Sequence, residues 1–170
     1  RSRGLGDVYK RQVRRKTGFS SSYMDKYNSI QYMNVYSKEY ITSYTNVETC
    51  MREFMELCQK NKLRSSGNFF YAIHQINEKA DMRIEFFFPA KESTILPNSG
   101  LKFQSYYVIE NMISVIVEDH FEENMEKAYA ALIEYAEAKN LKIISPFYNE
   151  FFKTLNGGYY IVKAVINENE

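Results

Sequence analysis

The feature that most constrains the fold is an internal repeat, in which the same order of elements occurs twice. In each half, the residue patterns predict a strand, a helix and then a two-stranded hairpin. The pair Lys60-Asn61 at the end of the first predicted helix recurs as Lys139-Asn140 at the end of the second, 79 residues later. This duplication predicts an α+β fold in which two βαββ units form one antiparallel sheet by pseudo-twofold symmetry. Two helices are expected on one face of the sheet, and a concave pocket on the other.

The helix starts are predicted from polar residues that stand before apolar stretches of helical period. Thr45 and Glu48 have the spacing of a capping box, in which each side chain bonds to the other residue's backbone N–H. Asp119 is predicted to cap the second helix, with Glu122 three residues later. The predicted strands cover about residues 29–43, 69–75, 82–88, 103–118, 147–154 and 159–166.

The basic residues are concentrated at the start of the chain. Residues 1–16 hold seven of the 22 basic residues and one of the 21 acidic residues, so the remainder has a net charge of −5. We interpret residues 1–22 as an appended or disordered segment of adapter-like, non-native sequence, although a basic arm for nucleic acid or acidic membranes is an alternative. Residues 23–167 are interpreted as one domain with repeats at about 29–89 and 103–166, followed by a tail at 168–170. Because this domain is mildly acidic, no nucleic-acid partner is expected.

The apolar segments and the cysteines of the sequence indicate the cellular location of the protein. No run of 18 apolar residues occurs, so no membrane partner is expected, and no apolar segment follows the N-terminal charges as in a secretory signal. Cys50 and Cys58 are eight residues apart in a helical pattern. That spacing is about 12 Å along a helix, which is too long for a disulfide. Two free thiols favour a cytoplasmic location.

The stretch Ser145 to Lys153 places one carboxylate among four aromatic rings. Strand side chains alternate between faces, so Tyr148, Glu150 and Phe152 are predicted to share one face. A carboxylate among rings is costly to bury unless a positive or hydrogen-bonding group meets it. We therefore predict that Glu150 binds a ligand, with Tyr148 and Phe152 beside it. The alternative is a structural acid paired with a lysine or with tyrosine hydroxyls.

Further pocket residues are predicted from the repeat and from alternation. The 79-residue offset carries Phe69 and Tyr71 onto this stretch, so both are candidates for the pocket lining, or else core rings. Tyr106 and Tyr107 point to opposite faces, and Tyr107 is the one favoured for the pocket. Glu110 is a candidate second carboxylate, although an edge charge that suppresses aggregation is an equal alternative.

No catalytic residue, metal ligand set or cofactor is predicted. His74 falls in a strand and His120 at a helix start, and neither has a serine or cysteine in the order of a catalytic triad, so both are assigned to structure. Gly157-Gly158 lies in a hairpin and does not precede a helix, unlike a phosphate-binding loop.

The order of elements, together with a strand that carries aromatic residues around one glutamate, resembles the GyrI-like domain over about residues 28–166. This family includes the effector-binding part of bacterial multidrug-responsive transcription activators. The resemblance implies that Glu150 is the buried glutamate that meets cationic or polar effectors, with Phe152 near the family's usual tyrosine. His120-Phe121-Glu122 lacks the glycine of the family's usual His-x-Gly. The stretch from Tyr106 to Ser114 is also similar to stand-alone GyrI-like proteins associated with secretion-toxin gene neighbourhoods.

The preferred hypothesis is a non-catalytic module that binds a small cationic or amphipathic molecule through a carboxylate and aromatic rings. Because only some 25 residues precede the first predicted strand, no DNA-reading helix-turn-helix is expected before the domain. One alternative is a protein-interaction module that serves a secretion-toxin locus. A second alternative is a hydrolase of reactive small compounds, which requires a glutamate that activates water. No oligomeric state is predicted.

Overall fold

The computed structural model describes residues 28–76 and 81–168. Its strands form one seven-stranded antiparallel sheet in the order β4-β1-β3-β2-β6-β7-β5, with a further pairing between β4 and β7. The predicted α+β class is therefore confirmed. The elements are β1 (Asn28–Ser43), α1 (Val47–Lys60), β2 (Phe70–Ile76), β3 (Asp81–Pro89), β4 (Lys102–Val117), α2 (Phe121–Ala138), β5 (Leu141–Ile143), β6 (Phe147–Thr154) and β7 (Gly157–Glu168).

Some of the sequence-based expectations concern residues outside the described ranges. The interpretation of residues 1–22, the hairpin turn at 77–80 and the last two residues of the tail belong to this group. The pseudo-twofold repeat likewise stays a prediction. Neither α1 nor α2 has the length and apolar character that crossing a membrane requires.

The described residues form two compact units, which we name by their helices. The α1 unit comprises Ile30–Val108 and Tyr148–Phe151. The α2 unit comprises Ile109–Phe147 and the described residues before Ile30 and after Phe151. Each unit has its own hydrophobic core.

In the α1 unit, helix α1 covers one face of the sheet. Phe54 and Cys58 are the buried residues of this helix. The Phe54 ring packs on Phe86 of β3 and on Phe69, with ring centroids 5.7 and 6.3 Å apart. β3 pairs with β1 on one side and β2 on the other, in a register that sets Glu39 opposite Glu85 and Phe70 opposite Phe87. Strand alternation therefore places Phe70 and Phe87 on the face away from α1.

In the α2 unit, β4 and β7 form an antiparallel pair that extends from Met112 opposite Val165 to Val117 opposite Tyr160. The helix α2 contributes small buried residues to the core, which allows close packing. Tyr129 of this helix stacks on Phe147, with ring centroids 4.5 Å apart. The buried residues of α2 are Met125, Ala128, Ala131, Leu132 and Ala136.

Both predicted helix caps are wrong. A 3-10 turn, Tyr44–Asn46, precedes α1, and the N-cap Asn46 makes no side-chain cap hydrogen bond, so the predicted capping box does not form. In α2 the N-cap is His120, in a left-handed conformation with φ 46°, and not Asp119. The Asp119 carboxylate instead accepts a hydrogen bond from the Asn124 side-chain amide at 3.3 Å. The three-residue strand β5 is too short to give a period in the sequence and was not predicted.

The two thiols are expected to differ in reactivity. Cys58 is buried, and burial raises the pKa of its thiol to about 12, whereas Cys50 is half-buried. We expect a disulfide reagent at pH 8 to modify Cys50 in the native protein, and Cys58 only after unfolding, because the thiolate is the reactive form. The Cys58 thiol ionises at a lower pH in the unfolded chain than in the folded chain. Ionisation of Cys58 therefore lowers the free energy of unfolding as the pH rises from 9.0 to about 12.

This prediction is checked by counting modified thiols with and without denaturant. The variant Cys50→Ser serves as the control and should show almost no native reaction. Rapid modification of two thiols in the native chain would contradict the burial argument.

Candidate functional site

Glu150 is buried within the α1 unit, with 3% of its surface exposed. It lies in β6, where the Phe151 N–H donates to the Phe69 carbonyl oxygen at 2.9 Å and so holds the strand against the residue that precedes β2. The Tyr32 hydroxyl of β1 donates to Glu150 Oε2. The Asn68 side-chain amide donates to the same oxygen at 3.4 Å. Two uncharged donors from separate segments thus solvate one oxygen of the carboxylate, which reduces the cost of burying it.

Gly67 allows the Tyr32 ring to reach this position. A Cβ atom at residue 67 would lie 2.5 Å from Tyr32 Cε1 and 3.3 Å from Pro89 Cβ. The first distance is shorter than a real Cβ contact, so a larger residue requires the ring to move. Gly67 therefore lies where the Tyr32 ring packs against the backbone.

Five aromatic residues of the α1 unit pack together beside Glu150, and we call them the ring cluster: Tyr32, Phe70, Phe87, Tyr107 and Tyr148. Phe70 is fully buried and contacts the other four. Its ring centroid lies 4.5 Å from that of Phe87 and 5.4 Å from that of Tyr107. The centroids of Tyr32 and Tyr148 lie 5.8 and 6.5 Å from it. Such offset and tilted pairs are favourable arrangements for aromatic rings.

The tyrosines of the ring cluster remain protonated in the physiological range. Burial raises the pKa of Tyr32, and the hydrogen bond to Glu150 and the charge of that carboxylate raise it further. Burial also raises the pKa of Tyr107 and of Tyr148, whose hydroxyls are hydrogen-bonded to each other. The site therefore presents neutral hydroxyls, ring faces and one buried carboxylate.

A cleft of about 630 Å³ borders the ring cluster. Phe87 and Tyr107 belong both to the cluster and to the wall of the cleft. The wall also carries charge of both signs, because Glu85 and Lys102 both line it. Glu85 Oε2 lies 3.7 Å from Lys102 Nζ. The lining residues are Glu85, Phe87, Ile95, Leu101, Lys102, Phe103, Gln104 and Tyr107.

Three of the predicted ligand-binding residues lie together. Glu150, Tyr148 and Tyr107 are all at the ring cluster. Phe69 and Tyr71 lie on the opposite face, in the α1 core, with ring centroids 6.0 and 5.9 Å from that of Phe86.

The remaining two predicted residues belong to the α2 unit. Phe152 stacks on Tyr159, with centroids 5.3 Å apart, and Lys163 Nζ lies 5.9 Å from the centroid of Phe152. Glu110 is exposed. The ligand-binding roles assigned to all seven residues stay predictions.

The 79-residue offset predicts Phe69 for the pocket, whereas the structure places Phe70 beside Tyr148. Phe69 packs in the core under α1, and Phe147 packs in the core under α2, so the residue in the environment equivalent to Phe69 is Phe147. An offset of 78 residues matches these two and carries Phe70 onto Tyr148. A one-residue slip exchanges the two faces of a strand. Sequence reasoning also missed Tyr32, Asn68, Phe87 and Glu85, because nothing local marks which residues of distant strands meet.

Comparison with known proteins places the chain in a family. A family model described as "Domain of unknown function (DUF5085)" matches residues 31–169. The chain belongs to the DUF5085 family. No curated protein matches its sequence significantly.

The DUF5085 chain is also similar to solved structures. The crystal structure of the EcmrR C-terminal domain has a TM-score of 0.63 at 15% identity, over 84% of this chain and 99% of that one. The cryo-EM structure of the EcmrR–DNA complex in EcmrR-RPo has a TM-score of 0.66 at 15% identity, over 98% of this chain and 67% of that one. The crystal structure of a hydrolase from Listeria innocua has a TM-score of 0.50 at 9% identity, over 94% and 98%.

At these identities, the likeness concerns the fold alone. It supports the resemblance to GyrI-like domains at the level of the fold. The expected cytoplasmic location and the expected lack of a nucleic-acid partner stay predictions.

Proposed function

We propose that the chain is a non-catalytic module that binds a small cationic compound bearing aromatic or other apolar groups. The observation that carries the proposal is the buried Glu150 carboxylate, held among the rings of the ring cluster next to an open cleft. The fold that the chain shares with the EcmrR C-terminal domain, from a protein solved in complex with DNA, is consistent with a sensor domain.

The electrostatics of the site favour a positive ligand. The buried Glu150 carboxylate, which accepts hydrogen bonds from the uncharged Tyr32 and Asn68 side chains, attracts a cation. The faces of aromatic rings carry partial negative charge, so the ring cluster adds attraction for a cation. Both effects are stronger in a site from which water is largely excluded than at the surface.

The cleft supplies the volume that such a ligand needs. Its volume of about 630 Å³ falls within the range typical of small-molecule pockets. Tyr107 lines the cleft and contacts Phe70 in the ring cluster. A ligand that approaches Glu150 from the cleft displaces the Tyr107 ring and takes its place against Phe70 and Phe87.

We expect Glu150→Gln to weaken the binding of a lipophilic cation at least tenfold, which corresponds to about 1.4 kcal/mol. The substitution keeps the shape of the side chain and removes its charge. Tetraphenylphosphonium is a suitable probe, and isothermal titration calorimetry on the whole chain is the measurement. Neutral triphenylphosphine oxide should bind weakly, and equally to both proteins.

The control variants separate charge in the site from charge elsewhere. Glu56→Gln removes an exposed carboxylate of α1 and should leave the affinity unchanged. Glu85→Gln removes the carboxylate that lines the cleft. If Glu85→Gln weakens binding and Glu150→Gln does not, the ligand lies in the cleft alone and the role proposed for Glu150 is wrong.

The two alternative functions carry less support. A protein-interaction role is consistent with exposed apolar side chains such as Ile41 and Tyr106, which are 79% and 64% exposed. Hydrolysis requires a water molecule activated beside a carboxylate, and Glu150 instead accepts hydrogen bonds from Tyr32 and Asn68.

A further inference from the structure

We propose that Glu39, His74 and Glu85 form a binding site for a divalent first-row transition-metal ion. One ligand atom from each residue, an imidazole nitrogen and two carboxylate oxygens, lies within 4.8 Å of the other two. This site is separate from Glu150, and the proposal does not depend on the small-molecule function.

Three neighbouring strands bring these residues together. Glu39 of β1 is directly opposite Glu85 of β3 in the antiparallel register. On the other side of β3, the register with β2 shifts between Ile73 and Gln75, so His74 is the extra residue of a β-bulge. Bulges redirect side chains and are frequent beside functional sites. His74 Nε2 lies 3.1 Å from Glu85 Oε1.

One of the three ligand pairs is at the separation that a metal ion requires. Bonds of about 2.0–2.1 Å in a tetrahedral zinc site place neighbouring ligand atoms about 3.3 Å apart. The pair His74 and Glu85 is already at that separation, at 3.1 Å. The Glu39 side chain is 34% exposed and pairs with Arg83, so closing the remaining distance requires its oxygen to move from Arg83 toward the ion.

The mixed ligand set selects the class of ion. Carboxylates alone favour magnesium, calcium or manganese, whereas an imidazole nitrogen favours zinc, cobalt, nickel or copper. One imidazole and two carboxylates leave at least one position for water, so the site is of the open type. Two negative ligands also balance the charge of a divalent ion.

The two neighbouring cationic side chains, Arg83 and Lys102, leave the ligand atoms accessible to a metal ion. Arg83 Nε lies 3.5 Å from Glu39 Oε1, and Lys102 Nζ lies 3.7 Å from Glu85 Oε2. The side chains of Arg83 and Lys102 are 46% and 66% exposed, so both are surface ion pairs that contribute little and can rearrange. Lys102 contacts Oε2 of Glu85, which leaves Oε1, the oxygen nearest His74, for the ion.

Binding has a defined proton balance. The ion takes the lone pair of His74 Nε2, so the imidazole must be neutral with its proton on Nδ1. If the imidazole is protonated beforehand, binding releases one proton to solvent. The hydrogen bond between His74 Nε2 and Glu85 Oε1 is lost, and a neutral imidazole that carries its proton on Nε2 must transfer it to Nδ1 through solvent.

The test is titration of the whole chain with Zn²⁺ and, separately, with Co²⁺ after treatment with a chelator. We expect one saturable site for each ion in calorimetry, and cobalt absorption bands in the visible range. His74→Gln should weaken binding at least tenfold, and Glu85→Gln should do the same. The variant His120→Gln is the matched control, because these are the two histidines of the chain and His120 is exposed beside Asp119. Its affinity should equal that of the wild type.

Cysteine is the competing ligand for zinc, so the titration is repeated in Cys50→Ser, which should also bind like the wild type. If His74→Gln does not fold, the NMR signals of the histidine rings decide the matter. In His120→Gln, the remaining ring signal belongs to His74, and Co²⁺ should shift or broaden it at stoichiometric concentration. The proposal is overturned if the chain has no saturable site, if binding depends on Cys50 or His120, or if the His74 signal does not respond.

Discussion

Replacing Phe54 with alanine is expected to lower the free energy of unfolding by about 3–5 kcal/mol, the usual cost of removing a buried aromatic side chain. Phe54 is fully buried, and its ring packs on Phe86 and Phe69 of the sheet. It is one of the two residues that α1 buries, so its loss leaves a cavity between helix and sheet. Thermal unfolding should occur roughly 6–20 °C lower, given about 2–4 °C for each kcal/mol in a chain of this size.

The next residue on the same helix provides the control. Met55 is 38% exposed, so Met55→Ala should change the free energy of unfolding by less than about 0.5 kcal/mol. Denaturant unfolding followed by circular dichroism measures both variants. Equal effects of the two substitutions would show that α1 does not pack through Phe54.

Gly67→Ala is expected to destabilise the fold by about 1–3 kcal/mol, the usual cost of overpacking, and to weaken ligand binding at least tenfold. The added Cβ would lie 2.5 Å from Tyr32 Cε1. The Tyr32 ring must therefore move away, and its hydrogen bond to Glu150 is lost. The carboxylate then keeps the Asn68 amide as a partner but loses the tyrosine hydroxyl.

A double-mutant cycle tests this mechanism. In a Tyr32→Ala background the clash is absent, so the further substitution Gly67→Ala should have almost no effect on stability. Ser66→Ala is the local control, because it alters the same turn without adding a Cβ. If Gly67→Ala costs as much in the Tyr32→Ala background as in the wild type, the effect comes from the backbone and not from the ring.

The sequence predicted the position of the carboxylate but not its environment. Alternation in one strand was enough to place Tyr148 and Glu150 on the same face, because a strand has a period of two. The partners Tyr32 and Asn68 are 118 and 82 residues away from Glu150 along the chain. Such pairings depend on strand order and register, which hydrophobic patterns within one segment do not specify.

The residues around His74 also meet only through strand pairing. In the sequence, His74 has no serine or cysteine in the order of a catalytic triad, which predicts a structural role. Its proposed partners lie on β1 and β3, and a bulge in β2 sets its place beside them.

The sequence by itself determined the α+β class, the two helices and the order of all the strands except β5. These features follow from periodicity within each segment, which local burial enforces. Only the tertiary structure decided which face of β2 meets Glu150, which rings surround the carboxylate, and where the cleft lies. The physical reason is that strand pairing joins residues far apart in the chain, and a shift of one residue in register sends every side chain of a strand to the opposite face.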